Sequence, residues 1–256
     1  MARFDRIAAV LFDKDGTLFD FHATWGAWTA QLIETLSDGE AKLAARLAVA
    51  MGYDLDARRF DPASPVIAGT PGEVAAVLRP HLPDIAGAAL VARMNALATA
   101  VPQVPAVPLA PLLDGLRRQR LRLGVATNDA EAPARAHLEA AGVIGAFDFV
   151  AGYDSGFGAK PDPGMLLAFA ETQGVSPEEV VMVGDSRHDL VAGRAAGMAT
   201  VAVLTGPAGY PDLAPLADAV LPNIGGLSEL LADAPNRRAS RHRATSPRSA
   251  APGRQG

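Results

Sequence analysis

Two acidic residues with a spacing suited to chemistry follow the first apolar run of the chain. Asp13 and Asp15 come directly after residues 7–12 (IAAVLF), and Gly16 follows them. Residues two apart lie on the same side of an extended chain, and a glycine then permits a sharp turn. A carboxylate can attack phosphorus and form an aspartyl-phosphate. The pair therefore marks a candidate site for nucleophilic chemistry.

Reactive polar residues also follow three later apolar runs. LRLGVA ends in Thr127 and Asn128, Lys160 follows FDFVAG by a short loop, and VVMVG ends in Asp185 with Asp189 four residues on. Ligands of open α/β sheets bind beyond the carboxyl ends of the strands, so these side chains would converge there. Each has an ordinary explanation by itself, such as a helix cap at Asp189. Their joint occurrence at four strand ends favours a single site.

The composition restricts what this site can bind. Three carboxylates, those of Asp13, Asp15 and Asp185, would repel one another unless a cation lies among them. The chain has no cysteine, which excludes disulfides and thiolate metal sites. A hard divalent ion such as Mg²⁺, which prefers carboxylates, water and substrate phosphate, is the natural partner. A lysine, a threonine hydroxyl and free N–H groups of the turns would cradle a dianion.

The elements that must position these residues alternate between strand and helix. After residue 101, near-continuous Val, Leu and Ala runs are separated by helical patterns. These patterns predict helices near residues 109–120, 131–141, 163–173, 189–196 and 212–217. Such alternation is typical of a parallel sheet covered on both faces. We predict an α/β protein with a doubly wound, mostly parallel, Rossmann-like sheet.

A helical insert separates the first strand from the rest of this sheet. Two tryptophans and two leucines of residues 25–36 recur at three- and four-residue steps, and Ser37 and Glu40 have capping-box spacing for a second helix. Four prolines at residues 102–111 mark a stiff boundary. The predicted division is an α/β body of residues 1–19 and 101–235, interrupted by an all-helical cap of residues 20–100.

Charge is distributed unevenly along the chain. Residues 236–256 carry six arginines and no acid and lack apolar periodicity, which predicts a disordered basic tail. The net charge of −5 divides into +6 for this tail and −11 for residues 1–235. A body that acidic is a poor candidate for binding nucleic acid through its folded surface. No stretch suits a signal peptide or a membrane span, so we expect a cytoplasmic protein with no membrane partner.

Four motifs, in order, resemble those of the haloacid dehalogenase-like (HAD) superfamily, and in particular its phosphatases. FDKDGTLFD matches a DxDGT motif, VATN a strand ending in Thr, AKPDP a Lys before a helix start, and VGDSRHDLVAGRAAGM a GDSxxD motif with its helix. The resemblance covers about residues 7–204. The insert between the first two motifs is similar to the family's type-1 cap, which closes over the site and excludes water.

The resemblance implies a catalytic role for each carboxylate of the set. Asp13 would be the nucleophile and a magnesium ligand. Asp15 would protonate the leaving oxygen and then activate water, and its backbone carbonyl would bind the metal. Asp185 would be the third protein ligand to Mg²⁺. Asp189 would support the metal site through Lys160 or a metal-bound water.

The remaining motif residues would bind the phosphoryl group. By the same resemblance, Thr127 would donate a hydrogen bond to it, helped by the backbone of Asn128. Lys160 would neutralise the phosphoryl oxygens and Asp13. Catalysis of this kind depends mostly on positioning and on charge neutralisation of the transferring group.

The resemblance also limits the class of reaction that the chain is expected to catalyse. Dehalogenases of the family lack an acid at the place of Asp15, so its presence favours cleavage of a phosphate ester. Phosphonatases of the family use a Schiff-base lysine in the cap, and no local motif supports that role for Lys42, the one lysine of residues 20–100. Four residues of the cap are candidates for substrate contact: His22, Trp25, Arg58 and Arg59.

The motifs most resemble the phosphoglycolate phosphatase group, which implies 2-phosphoglycolate or a similar small phosphorylated metabolite as substrate. Lys14 and residues 19–22 depart from that group's usual pattern. The alternatives are sugar phosphates, nucleoside monophosphates, pyrophosphate, and a phosphotransfer like that of β-phosphoglucomutase. The intact acidic set argues against a non-catalytic binding protein, because unused buried charges are costly. A monomer or a homodimer is expected.

Overall fold

The structure is a computed structural model that describes residues 4–61 and 63–232. The predicted disordered tail of residues 236–256 lies outside these ranges, so the structure does not test it. Within the ranges, a first strand is followed by a largely helical insert and then by alternating helices and strands. This order matches the predicted α/β body with its interruption.

The elements have the following bounds. In chain order, the strands are β1 (Ala9–Phe12), β2 (Tyr53–Asp54), β3 (Arg59–Phe60), β4 (Arg122–Ala126), β5 (Phe149–Ala151), β6 (Val180–Gly184), β7 (Ala199–Val203) and β8 (Ala219–Leu221). The α-helices are α1 (Phe21–Ser37), α2 (Ala41–Ala50), α3 (Pro71–Leu78), α4 (Gly87–Ala100), α5 (Leu109–Arg118), α6 (Glu131–Ala140), α7 (Gly164–Gln173), α8 (Arg187–Ala195) and α9 (Tyr210–Leu213), and a further helical stretch lies at 227–232. No helix in the described part of the chain is both long and apolar enough to cross a membrane.

Six of these strands form one sheet in the order β5-β4-β1-β6-β7-β8, and every neighbouring pair is parallel. Numbered along the chain within the sheet, the order is three, two, one, four, five, six, which is that of the doubly wound Rossmann fold. The direction of winding reverses between β1 and β6, and ligands of such sheets bind beyond the strand ends at that point. The predicted fold class is therefore confirmed.

Side chains of β1 alternate between two apolar layers because successive residues of a strand point to opposite faces of the sheet. Val10 and Phe12 belong to a buried cluster that includes leucines of α5 and α6. Ala9 and Leu11 belong to another, which contains residues of α7 and α8. All four side chains are fully buried. The strand end that carries Asp13 is therefore fixed from both faces.

The insert packs around an apolar core of its own. The buried residues of this cluster all lie between Trp28 and Val101. Helix α1 begins at Phe21 and α4 ends at Ala100, which supports the proposed division near residues 20 and 100. The cap is helical as predicted, with one addition, since β2 and β3 pair as a short antiparallel hairpin.

The predicted capping box of α2 is wrong. Ser37 is the last residue of α1, and its Oγ donates to Glu34 O within that helix at 3.3 Å. Glu40 precedes α2 but makes no side-chain cap. Asp38 and Gly39 both have positive φ between the helices, so the chain turns before Ser37 could reach α2.

The two connections between body and cap run side by side. Asp20 N donates to Val104 O at 2.8 Å, and Ala106 N donates to Leu18 O at 2.9 Å. The second connection carries three of the boundary prolines, whose fixed φ restricts the backbone there. The two chain connections between cap and body thus form a narrow, hydrogen-bonded strip next to the first motif.

Gly124 of β4 lets α7 pack closely on the sheet. A β-carbon there would lie 2.7 Å from the Phe169 ring and 3.0 Å from a Leu11 methyl group. We expect Gly124→Ala to lower the free energy of unfolding by about 1–3 kcal/mol through overpacking, measured by urea denaturation. A β-carbon at Gly145 would meet nothing within 4 Å, so Gly145→Ala is the control and should change stability by less than about 0.5 kcal/mol. Indistinguishable variants would contradict this explanation of Gly124.

Candidate active site

The loop after β1 delivers the first-motif acids to the edge of the sheet. Asp13 N donates to Val183 O of β6 at 2.8 Å, which holds Asp13 beside the neighbouring strand. Gly16 then turns the chain with φ +83°, in a region that residues with a side chain rarely adopt. A β-carbon on Gly16 would lie 2.3 Å from Asp185 Oδ2. Glycine here therefore permits the loop to approach that carboxylate.

Asp185 is buried at the end of β6. Thr17 Oγ1 donates to its Oδ1 at 3.3 Å, and a β-carbon on Gly206 would lie only 1.6 Å from its Oδ2. Burial raises the pKa of Asp185 well above its usual value, and the carboxylates of Asp13 and Asp189 raise it further. A cation next to this group would stabilise its ionised form.

Lys160 is the cation at the centre of the site. Its buried Nζ donates to Asp13 Oδ1 at 2.7 Å, to Asp189 Oδ1 at 2.6 Å and to Ala126 O at 2.8 Å. These contacts account for all three N–H donors of an ammonium group. Burial opposes the charge, but the two carboxylates outweigh it and raise the pKa of Lys160.

Asn128 clamps the backbone that carries this lysine. Its Oδ1 accepts from Lys160 N and its Nδ2 donates to Lys160 O, both at 2.9 Å. The same Nδ2 donates to Ala68 O of the cap at 2.9 Å. The sequence predicted only a backbone role for Asn128. The long separation from its partners explains why the motif alone did not reveal this side-chain role.

Thr127 follows strand β4, and Asp189 lies in the first turn of α8, which follows β6. Thr127 is buried, lines the cavity, and its Oγ1 accepts from Asp129 N at 3.1 Å, so its hydroxyl hydrogen is free to donate elsewhere. Asp189 Oδ2 accepts from Ser186 N and Oγ, which caps α8. Its Oδ1 accepts from Lys160. Asp189 thus links the start of α8 to the central lysine.

The predicted site residues come together around one cavity. It contains about 640 Å³ of empty space, its open mouth included. All seven residues predicted from the motifs line it: Asp13, Asp15, Thr127, Asn128, Lys160, Asp185 and Asp189. The convergence expected from the strand ends is therefore present, between β1 and its neighbours on both sides.

Three carboxylates form a group that fits a metal ion. Oxygens of Asp13, Asp185 and Asp189 lie within 4.8 Å of one another. Burial raises the pKa of Asp13 to about 7, Lys160 opposes this, and Asp189 and Asp15 add to it. The carboxylates therefore outnumber the one buried cation that they contact, and a hard divalent ion such as Mg²⁺ matches a donor set made of oxygen.

A second lysine, Lys14, is buried next to this group. The sequence analysis identified it only as a departure from the usual pattern of the first motif. Lys14 Nζ lies 2.8 Å from both carboxylate oxygens of Asp15, 3.2 Å from Asp129 Oδ2 and 3.1 Å from His137 Nδ1. Asp129 and His137 were not predicted as site residues. His137 lies on α6, 123 residues from Lys14 along the chain, and only the fold brings the two together.

The cap contributes a mostly apolar wall to the cavity. Its aromatic members are Phe21, Trp25 and Trp28. The predicted contacts His22, Arg58 and Arg59 are exposed and do not line the cavity, so of the four predicted cap contacts Trp25 alone is in place. The two arginines lie at the β2–β3 hairpin, which turns them towards solvent. Exposed Lys42 also lies outside the lining, which leaves no cap lysine for Schiff-base chemistry among the described residues.

Comparisons with known proteins agree with this fold. The family model of haloacid dehalogenase-like hydrolases matches residues 7–197. A phosphoglycolate phosphatase of Rhodospirillum rubrum is 33% identical over 241 residues, which cover 87% of this chain and 90% of that protein. An HAD phosphatase structure from Thermococcus onnurineus has a TM-score of 0.62 at 25% identity and covers 88% of this chain and 98% of its own. A β-phosphoglucomutase structure from Clostridium difficile has a TM-score of 0.63 over 92% of this chain and 100% of its own, and at 19% identity it shows the fold alone.

The chain belongs to the haloacid dehalogenase-like hydrolases. It is a phosphatase of that family and resembles the phosphoglycolate phosphatases. The resemblance seen in its motifs is therefore confirmed.

The raised pKa of Asp13 predicts a pH effect on the metal-free protein. Its value of about 7 exceeds the ordinary 3.8, so the folded state holds this proton more tightly than the unfolded chain does. The free energy of unfolding should fall by about 3 kcal/mol as pH rises from 4 to 7, and the small remainder of this loss should be complete by about pH 8. Urea denaturation in chelator would show the fall in wild type, and Asp13→Asn should show a smaller one.

Magnesium should reverse this loss. At pH 8, added Mg²⁺ is expected to raise the melting temperature of the wild type, and to raise that of Asp13→Asn less, since a ligand that binds the folded state stabilises it. A metal-free wild type that becomes more stable between pH 4 and 7 relative to Asp13→Asn would contradict the pKa shift.

Proposed function

We propose that this chain is a Mg²⁺-dependent phosphomonoester hydrolase that acts through an aspartyl-phosphate on Asp13. The observation that carries the proposal is the buried pair of Lys160 Nζ and Asp13 Oδ1, 2.7 Å apart, at the wall of the cavity. Lys160 holds one oxygen of the carboxylate, which leaves Oδ2 for attack on phosphorus. Asp15 lines the same cavity and supplies the second acid that ester cleavage requires.

The first step transfers the phosphoryl group to the protein. An oxygen of Asp13 forms a bond to phosphorus while the bond from phosphorus to the ester oxygen breaks. Asp15 gives its proton to the leaving oxygen. The free hydroxyl hydrogen of Thr127 and the ammonium of Lys160 stabilise the charge on the phosphoryl oxygens.

The second step releases inorganic phosphate. Asp15, now ionised, takes a proton from a water molecule as that water attacks phosphorus, and the bond to Asp13 breaks. The apolar wall of the cap limits the access of other water during both steps.

Asp13, Asp185 and the backbone carbonyl of Asp15 would hold the magnesium ion. When bound, the ion neutralises charge on the carboxylates and the phosphate and orients the phosphoryl group for attack. Asp189 accepts a hydrogen bond from Lys160, so its proposed role is to support the lysine beside the metal.

The first candidate substrate is 2-phosphoglycolate. Its support is the relative named for that activity, which aligns over most of both chains. The leaving group of 2-phosphoglycolate carries a carboxylate, which a basic residue would have to balance. Among described residues, the basic side chains that line the cavity are Lys160 and His188, both on the body.

The cap wall favours a second candidate, an ester with a neutral, aromatic leaving group such as a nucleoside monophosphate. Phe21, Trp25 and Met94 present apolar surface there. Trp25 Nε1 and Asn95 Oδ1 are buried without a hydrogen-bond partner, so one donor and one acceptor are available to a polar, uncharged group. A base or sugar meets both requirements, whereas a carboxylate meets no cation among the described cap residues that line the cavity.

A phosphate-release assay tests the reaction. With 2-phosphoglycolate, sugar phosphates, nucleoside monophosphates and pyrophosphate as substrates, release should require Mg²⁺, and Asp13→Asn should lower kcat at least about 1000-fold. Exposed Asp114 provides the matched control, and Asp114→Asn should retain full activity. Release that needs a bisphosphate primer would identify a mutase, and activity that survives in Asp13→Asn would refute the proposed nucleophile.

Variants of the cap separate the two candidate substrates. Trp25→Leu should lower kcat/KM for nucleoside monophosphates about 10-fold, because it removes aromatic contact and the free N–H donor. Arg58→Ala with Arg59→Ala should leave every substrate unchanged, since both side chains lie outside the cavity. If the arginine variant selectively loses 2-phosphoglycolate hydrolysis, the first candidate is favoured and the cap must move to bring an arginine in.

A further inference from the structure

Lys14 stands between the two first-motif acids and is completely buried. It is not among the described residues that line the cavity, so its ammonium group does not meet the substrate. A buried ammonium group is stable only when its charge and its three donors are matched. The two oxygens of Asp15 and Nδ1 of His137 lie within hydrogen-bond distance of Lys14 Nζ, and Asp129 adds a second negative charge at 3.2 Å.

The contact with His137 fixes the role of each ring nitrogen. Lys14 has donors only, so His137 Nδ1 accepts its hydrogen bond and the ring proton resides on Nε2. Nε2 then donates to Ala98 O of α4 at 2.7 Å. Burial, with Lys14 adding to it, lowers the pKa of His137 to about 4, in keeping with this neutral form. A continuous chain of hydrogen bonds thus runs from the cap, through α6, to Asp15.

The other anchor of Lys14 is held rigidly. Asp129 Oδ1 accepts from Ala130 N at 2.8 Å, and Asp129 N donates to Thr127 Oγ1. Its Oδ2 faces Lys14 Nζ at 3.2 Å. Lys14 Nζ also lies 5.6 Å from the centre of the Trp25 ring, within cation–π distance. These neighbours leave the ammonium group little freedom to move.

We propose that Lys14 is a positioning residue, which holds the carboxylate of Asp15 in the orientation that proton transfer requires. This rests on the proposed function, in which Asp15 is the general acid and base. Both oxygens of Asp15 lie 2.8 Å from Lys14 Nζ, so the lysine controls the rotation of that carboxylate. Without Lys14, Asp15 would face Asp129 with no cation between them and would turn away from it. A small misplacement of a catalytic group can cost a large part of its effect.

A purely structural role for Lys14 makes a different prediction. If the lysine only neutralises Asp129, its loss should reduce activity on all substrates by one factor. If it acts through Asp15, the loss should depend on how much the leaving group needs a proton. The comparison of an alkyl phosphate with p-nitrophenyl phosphate, whose leaving group departs without a proton, separates the two roles.

The experiment measures kcat/KM, which reports the transfer to Asp13, with Mg²⁺ present. For Lys14→Met, we expect a loss of about 10- to 100-fold on the best alkyl phosphate of the panel and less than about 3-fold on p-nitrophenyl phosphate. Asp15→Asn should show the same dependence on the leaving group with a larger loss. Equal losses on the two substrates in Lys14→Met would overturn the proposal.

A double-mutant cycle checks that Lys14 acts through Asp15. In the background of Asp15→Asn, adding Lys14→Met should change alkyl phosphate hydrolysis by less than about 2-fold, since the acid it positions is gone. Additive losses would overturn the proposal. The proposed roles of Asp13 and Asp15 can fail separately. If Asp13→Asn is inactive but Asp15→Asn lowers activity equally on both substrates, Asp15 is not the general acid. That result would refute the role of Lys14 and would leave Asp13 as the nucleophile.

Removal of a buried charge can unfold the protein, so a second variant is included. Lys14→Gln keeps a neutral donor for Asp15 on a side chain one atom shorter, and we expect it to recover at least about 3-fold of the alkyl phosphate activity lost in Lys14→Met. If Lys14→Met does not fold, Lys14→Gln alone tests the positioning role, through the ratio of its kcat/KM on the alkyl phosphate to that on p-nitrophenyl phosphate. A ratio below that of the wild type supports the positioning role, and an unchanged ratio overturns it.

Discussion

The rest of the site depends on one interaction, the contact of the Lys160 ammonium group with two buried carboxylates. Asp13 follows β1 and Asp189 lies in α8, and the two carboxylates would repel each other in an apolar environment without this cation. Lys160 itself is delivered by the loop after edge strand β5, and Asn128 clamps its backbone. Asp13, the proposed nucleophile, is therefore oriented by a cation that is positioned independently of it.

The doubly wound sheet makes this arrangement possible. Both faces of β1 are packed, so Asp13 projects from a strand that cannot shift, at the point where the order of strands reverses. Gly16 and Gly206 then allow the backbone to close around Asp185, where any side chain would collide with its carboxylate. The carboxylates of Asp13, Asp185 and Asp189 therefore lie within 4.8 Å of one another and carry more negative charge than Lys160 balances. This is the environment in which a hard cation and a phosphoryl group bind together.

The body and the cap contribute different groups to the cavity. The body holds the acids, the lysine and the threonine, and its likeness to HAD hydrolases identifies the chemistry. The cap packs around its own apolar core and supplies the aromatic wall of the cavity. Lys14 joins the two parts, because its partner His137 bonds to Ala98 of the cap while its other partner, Asp15, lies at the reacting centre.

The sequence by itself determined the fold class, and it predicted an insert after the first strand and a set of acids that lines one cavity with Lys160 and Thr127. Such features depend on local patterns, since apolar runs, turn residues and motif spacing act over few residues. The tertiary structure alone decided that Asn128 clamps Lys160, that His137 bonds to Lys14, and that Arg58 and Arg59 lie outside the cavity. Those contacts join residues far apart in the chain, or depend on how a helix and a hairpin pack, and no local pattern encodes such distances.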